Sequence, residues 1–395
     1  MRSEKDLTET LRAAADHAPD PGGLLAGVEG RRRRRRRRRT RGLAVVTAVA
    51  AVLAAGTVMA ANGRQAAAPS PAARPFPQAV AVPLERAWPQ AVVTMPGVRA
   101  DGLFRFPVTT LDATRILVVA GPGMATIRAI EVYDTTTRTF REITGISTPP
   151  GMRTYRPQPP AHDGLNLAWH VNAVRKDGTQ VREIWTVPLA GGEPRQVAAM
   201  TGEHLRIERI ALDGDRIVWS ERTGGVWWMP LAGGAPTRFP GSDGLHLVEW
   251  PWASDVADGE DRNQTRLVNL STGRPSTRDV VAPPDVLRLR CGPSWCRGVR
   301  GGRTYLQRLD GGGAAEPPGL GLVPRLGDYP ALDRFVVSSG GAVYDVRTGT
   351  LATSDRPGIW WGHEWSAEPA AIVYWAESLR DGYRVLNLAA VPPAQ

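Results

Sequence analysis

IWTVPLAGGEPRQV, Ile184 to Val197, returns as VWWMPLAGGAPTRF, Val226 to Phe239, at an offset of 42 residues. A repeat of this length restricts a chain to architectures in which one supersecondary unit packs against copies of itself. Weaker copies are AIEVYDTTTRTF from Ala129, LVNLSTGRPST from Leu267, YLQRLDGGGAA from Tyr305, AVYDVRTGTLAT from Ala342 and RVLNLAAV from Arg384. The register residues Thr135, Leu189, Leu231, Leu270, Leu309, Val346 and Leu388 are spaced by 54, 42, 39, 39, 37 and 42, which makes seven copies. Each copy is preceded by a second apolar run, at Ile116, Leu167, Ile217, Leu247, Leu287, Phe335 and Ile372. The runs are short, β-branched and aromatic, and bounded by Gly, Asp, Pro and Ser, with no sustained helical period. Helical solenoids are thereby excluded. Strand, loop, strand, Gly-containing turn and strand at about 40 residues is the layout of a propeller blade. The expectation is an all-β protein, a β-propeller of about seven four-stranded blades over residues 84–395, preceded by one transmembrane helix.

IVWSERTGGVWWMPLAGGAPTRF, Ile217 to Phe239, resembles the WD40-like propeller repeat of bacterial TolB-type proteins. Ile217, Trp219, Ser220, Trp227, Leu231, Gly233, Gly234 and Pro236 fit that pattern, and Leu167, Trp169, Trp185, Leu189, Gly191, Gly192 and Pro194 fit it one repeat earlier. The other five copies match in spacing and apolar register. The usual Pro-Asp-Gly before the first strand is reduced to His162-Asp163-Gly164 and Ser242-Asp243-Gly244. The resemblance spans roughly Leu111 to Ala390 and implies the fold; the outer-membrane role of that family is not carried over.

The seventh copy stops near Val391 without a run for an outer strand. A propeller closes its ring or leaves an exposed strand edge, an aggregation hazard. The missing strand comes from an N-terminal segment, either Ala91 to Val98 or Leu103 to Val108, and deleting residues up to Pro107 is then expected to open the ring.

Ahead of the repeats the chain changes character. Arg31 to Arg39 and Arg41 are ten of its 49 basic residues, and the other 39 balance 39 acidic ones, so the net charge of +10 lies in one block. A nucleic-acid module spreads its cations over a folded face among polar and aromatic readers. This block instead abuts GLAVVTAVAAVLAAGTVMAA, residues 42–61, which carries no charge. As a helix, twenty residues span roughly 30 Å, the thickness of a bilayer's hydrocarbon core. Arginines flanking such a segment favour the cytoplasmic side and anionic lipid. The reading is a lipid-bilayer contact over residues 31–61, a cytoplasmic tail over 1–41, a transmembrane helix over 42–61, an Ala/Pro-rich linker over 62–83 and an extracytoplasmic propeller in the cell membrane, with no nucleic acid bound. A cleaved secretory signal with Val58-Met59-Ala60 as its exit is the competing reading. The tail, with Leu7, Leu11, Ala14 and Ala15 at helical spacing, is either a solvated orienting segment or a docking helix for a cytoplasmic protein.

No catalytic or cofactor motif emerges. Gly-x-Ser-x-Gly and HExxH do not occur, and His17, His162, His170, His204, His246 and His363 have no metal-ligand spacing. Asp255 to Asn263 lacks the twelfth-position glutamate of a calcium loop and reads as a solvated acidic loop. Cys291 and Cys296 flank a four-residue turn; outside the membrane they form either a disulfide or free thiols. Two segments are candidate binding loops. PPGMRTYRPQPP, with Arg153, Tyr155 and Arg156, fills the long 54-residue spacing. GIWWGHEWSAE, with Trp360, Trp361, His363 and Trp365, breaks strand alternation. Scaffold-held insertions of this kind carry binding, though each segment also reads as a plain linker. The functional expectation is a membrane-anchored module binding a protein or envelope ligand, and not an enzyme. The tail, Arg run and single apolar segment resemble bacterial membrane proteins that accompany extracytoplasmic-function sigma factors, without a zinc-binding anti-sigma motif, and a partner for the tail would couple the module to signalling or regulation. The alternative is a propeller hydrolase or lyase acting on envelope glycans or peptides.

Overall fold

The computed structural model describes residues 80–393 apart from Met124, 202–205, 272–275, Pro318, 321–328, 339–340, 355–358, 362–370, Glu377 and Leu379. The segments read as a cytoplasmic tail over 1–41, a transmembrane helix over 42–61 and most of the linker over 62–83 lie outside the described residues. Among the described residues no helix is long and apolar enough to cross a membrane.

Seven separate sheets follow one another along the chain. Blade one is Phe104–Thr110, Arg115–Gly121, Ala129–Asp134 and Thr139–Gly145, each antiparallel to the next. Blades three and four repeat that order over Ile207–Arg238 and His246–Asp279. The last strands are the exposed ones, Ser276–Asp279 along its whole length, so the first strands lie on the inner side. Blade two departs from four strands: its first position is split between Met152–Pro157 and Ala161–His162, both paired with the ten-residue strand Asn166–Arg175. Blade five has three described strands, Val286–Cys291, Trp295–Arg300 and Arg303–Arg308, with Ala315 bridged to Leu306 beside the third. The runs from Leu247 and Leu287 lie on first strands, His246–Glu249 and Val286–Cys291, rather than second ones; the second strands are Trp252–Ser254 and Trp295–Arg300.

Ring closure is visible in the cores. Six apolar clusters sit between successive sheets: one spans blades seven, one and two, and the others fill the joints from two to three round to six to seven. The repeated tryptophans supply much of this. Trp169 faces Trp185 across blade two, and Trp219 faces Trp227 across blade three; Trp169 and Trp219 are 1% exposed. Each fully buried aromatic contributes about 3 kcal/mol or more, by the cost of truncating such groups.

The N-terminal segment completes two blades. Val92–Met95 pairs antiparallel with Tyr383–Asn387 as the outer strand of blade seven, so Ala91 to Val98 is the closing segment and Leu103 to Val108 belongs to blade one. Just before it, Val82–Pro83 runs parallel to Thr350–Thr353 on the outer edge of blade six. Between them the single helical turn Leu84–Ala87 and Trp88 bury Leu84 and Trp88 against Phe335, Val343 and Leu386. A second recurring device ties neighbouring blades. Arg141, on the outer strand of blade one, donates from Nη1 and Nη2 to the carbonyls of Ala190 and Leu189 at 3.0 and 3.1 Å. Arg195, on the outer strand of blade two, does the same to Ala232 and Leu231 at 2.7 and 2.6 Å.

Candidate functional site

The inner strands share an irregularity. In blades one to five the pairing of the first strand slips once, at Pro107/Thr109, Met152/Thr154, Ile207/Arg209, Leu247/Glu249 and Leu287/Arg290. A bulge leaves one residue out of the ladder and turns its side chain. In blade three that residue is Glu208, which with Arg209 heads a cluster of charged groups drawn from three blades.

Glu208 Oε2 lies 2.7 Å from Nδ1 of His246, the first residue of blade four's inner strand, and an imidazole N–H at that nitrogen donates to the carboxylate. Both side chains are under 10% exposed. Glu208 Oε1 accepts the backbone N–H of Asp258 at 3.0 Å, and Oε2 also accepts the Ser220 hydroxyl at 3.4 Å. Arg209 donates to both oxygens of Asp258 and to the Val248 carbonyl, and its guanidinium lies over the Tyr329 ring, 5.3 Å from the centroid. From blade five, Arg290 donates to the carbonyls of Glu260 and Arg262, and Leu289 N–H donates to Asn263 Oδ1. The loop 255–265 of blade four is therefore held on both sides. Its own base is Asp255. Burial works against the charged carboxylate, but the Thr265 hydroxyl, the N–H groups of Thr265 and Arg266, and Arg262 hold it below the usual range. The acidic loop is thus a three-blade bridge and not a freely solvated one. Among the described residues no set of three or more His, Cys, Asp or Glu is arranged to hold a metal ion.

The cluster ties three blades together, and its geometry differs from that of a serine triad. A serine triad needs the hydroxyl bonded to the imidazole and the imidazole to the carboxylate. Here Ser220 and His246 both address Glu208, and Ser220 is fully buried. Sequence reading missed this cluster because its members lie on four separate segments, and only the bulges bring them together.

The predicted loops sit elsewhere. Met152–Pro157 is the inner strand of blade two and not an insertion between blades. On it Arg153 and Arg156 are exposed, whereas Tyr155 donates its hydroxyl to Glu183 Oε2 at 3.0 Å. Trp185 Nε1 donates to the same oxygen at 2.9 Å. Burial first, and then the Glu183 charge, push the Tyr155 phenol up. Trp360 and Trp361 lie on the strand Ile359–Trp361, paired with Trp375 and Tyr374, so they begin blade seven as a strand; His363 and Trp365 lie outside the described residues. The two segments belong to different blades, and the described residues do not join them into one site. Cys291 and Cys296 are disulfide-bonded partners across the first two strands of blade five, both fully buried.

No family model matches the chain, and no curated protein matches it in sequence. Among solved structures it is similar to YCF48 bound to a D1 peptide, at 12% identity over 78% of this chain and 97% of that one, with a TM-score of 0.47. It is also similar to an oligogalacturonate lyase from Vibrio parahaemolyticus, at 11% identity over 71% and 75% of the two chains and a TM-score of 0.40. A third is BamB from Moraxella catarrhalis, at 12% identity over 71% and 83%, with a TM-score of 0.37. What the chain has in common with these proteins is the propeller, which its own seven sheets establish.

Proposed function

We propose that this protein is a membrane-tethered, extracytoplasmic propeller that binds a protein or envelope ligand and does not turn it over. The observation that carries the binding reading is that the inner-strand charges of blades three to five are paired with one another or with the loop 255–265, whereas blade two leaves arginines exposed on its inner strand. Glu208, the buried carboxylate beside a histidine, already accepts from His246, the Ser220 hydroxyl and the Asp258 N–H, which engages about three of its four lone-pair sites and holds it among neighbouring blades. Exposed groups such as Arg153 and Arg156 on the inner strand of blade two remain available to a partner. The tether reading rests on the Arg block beside the uncharged run 42–61, some twenty residues before the first propeller strand at Val82.

The test is cross-linking in intact membranes, followed by mass spectrometry, on full-length protein and on a version lacking residues 2–30 that keeps the Arg block. Extracytoplasmic partners retained by both versions and lost on changing Arg153 and Arg156 to Glu fit a binding propeller. A cytoplasmic partner lost with the tail adds a regulatory role across the membrane. Turnover of glycans or peptides by the purified full chain, abolished by Glu208→Gln, would sink the binding reading.

A further inference from the structure

The joint between blade seven and blade one is built unlike its neighbours. In the joints from one to two and two to three, an outer-strand arginine lies against the turn after the third strand of the next blade. Blade seven takes its outer strand from Val92–Met95, which has no arginine. A cavity of about 420 Å³ lies there, walled by Val92, Val93 and Thr94 of that strand, Arg384 of the third strand, and Thr135 and Arg138 of blade one's turn.

Arg138 sits in the left-handed region, at φ 58°. The corresponding turns hold glycine in that region: Gly191 at 106°, Gly233 at 90°, Gly311 at 83° and Gly349 at 72°. The match to blade six is residue for residue. Asp134-Thr135-Thr136-Thr137-Arg138-Thr139 aligns with Asp345-Val346-Arg347-Thr348-Gly349-Thr350, and Asp134 and Asp345 each accept the N–H two residues on. A β-carbon is strained at this position, as at Arg288, Leu332 and Asp333, and such strain persists where the surroundings over-determine it, often at binding sites. Arg138 makes no hydrogen bond or ion pair among the described residues. Arg384 is held in place by donating to Thr94 Oγ1 at 2.8 Å and to Glu85 Oε1 at 3.4 Å. Glu85 takes Arg384, and Asp134, in the same turn as Arg138, spends Oδ1 on the N–H and hydroxyl of Thr136 and the N–H of Thr137, so the Arg138 guanidinium is left without a carboxylate partner among the described residues, beside an apolar wall.

We propose that this cavity binds the carboxylate of a small ligand, with Arg138 and Arg384 taking the oxygens and Val92 and Val93 taking a short aliphatic body. One unpartnered guanidinium beside a second, anchored one suits a single carboxylate. The inference rests on the binding reading above and gives it a ligand class. The carboxylate belongs either to a free aliphatic acid or to the C-terminus of a peptide.

The experiment is calorimetric titration of the full chain in detergent with butyrate, with the peptide Ala-Ala-Val, and with that peptide amidated at its C-terminus, alongside thermal melting. Binding of butyrate together with the acid peptide supports the proposal with a free acid as sufficient ligand. Binding of the acid peptide alone supports it with a peptide terminus as the source. In either case Arg138→Gly is expected to weaken binding about tenfold or more, as loss of a charge-assisted hydrogen bond does, and to raise Tm by about 1–2 °C through release of strain. Absence of binding by all three probes, equal binding of acid and amide, or unchanged binding in Arg138→Gly overturns it. A fall in Tm of Arg138→Gly overturns the strain argument and with it the proposal. Any of these failures leaves the membrane cross-linking result standing, so the two readings fail separately.

Discussion

Single residues set how the propeller responds to its medium. His170 is buried on the second strand of blade two, and burial first, then the nearby Arg182 charge, depress it to about 3. The folded protein keeps this imidazole neutral where the unfolded chain protonates it, below about pH 6.5. Stability from His170 is present above that pH and is lost as pH falls through the window from about 6.5 to 3, amounting to about 2 kcal/mol by pH 5. His162, lowered mainly by burial, adds in the same direction. Denaturant midpoints measured at pH 7 and pH 5 are expected to diverge accordingly, and His170→Leu is expected to flatten the difference. Glu208 is a second sensitive residue: Glu208→Ala leaves His246, Ser220 and the Asp258 N–H without their acceptor, at a cost of about 2–4 kcal/mol. Equilibrium unfolding of the variant checks this. The disulfide closes a very short loop, so its reduction is expected to cost only about 2 kcal/mol. A reduced sample that melts together with the oxidised one would count against even that contribution.

At the scale of the element, the inter-blade arginines and the closing segment carry the predictions. Arg141→Ala and Arg195→Ala each remove two hydrogen bonds to the next blade, and each is expected to lower stability by about 1–2 kcal/mol. The effects are expected to be additive, since the two side chains share no partner; a double variant measured by denaturant unfolding tests that. Legibility in the sequence also divides by element. Third strands are readable in all seven blades, and second strands in all but blades four and five, because they are buried by adjoining blades. The absence of an outer strand in blade seven was readable as a deficit. First strands were not readable, because they face the axis and carry Glu208, Arg209 or Arg290 within a bulged ladder. That is why Met152–Pro157, flanked by prolines and bearing two arginines, resembled a linker. It is also why the apolar Leu247 run took the place of the true second strand, Trp252–Ser254, which follows Pro251. The acid–base cluster was invisible for the same reason.

For the whole molecule, closure depends on residues far apart in the chain, Val93 pairing with Val385 and Leu84 packing in the cluster that holds Leu386. Removing residues 80–95 takes away the outer strand of blade seven and uncovers the apolar surface under Leu84, Trp88 and Met95. The expected outcome is loss of cooperative melting together with self-association, measured by scanning calorimetry and sedimentation; an unchanged transition would show that the ring closes without this segment. The same pairing fixes an order of events during synthesis. A ribosome adding about 5–20 residues per second needs about 15–60 s to pass from Val93 to Val385. Throughout that interval the closing strand exists without its partner, while the earlier blades already have theirs. The clasp is the first part of the propeller to be made and the last to be used, so a chaperone acting on this chain would have the stretch around Val92–Met95 as its longest-waiting client.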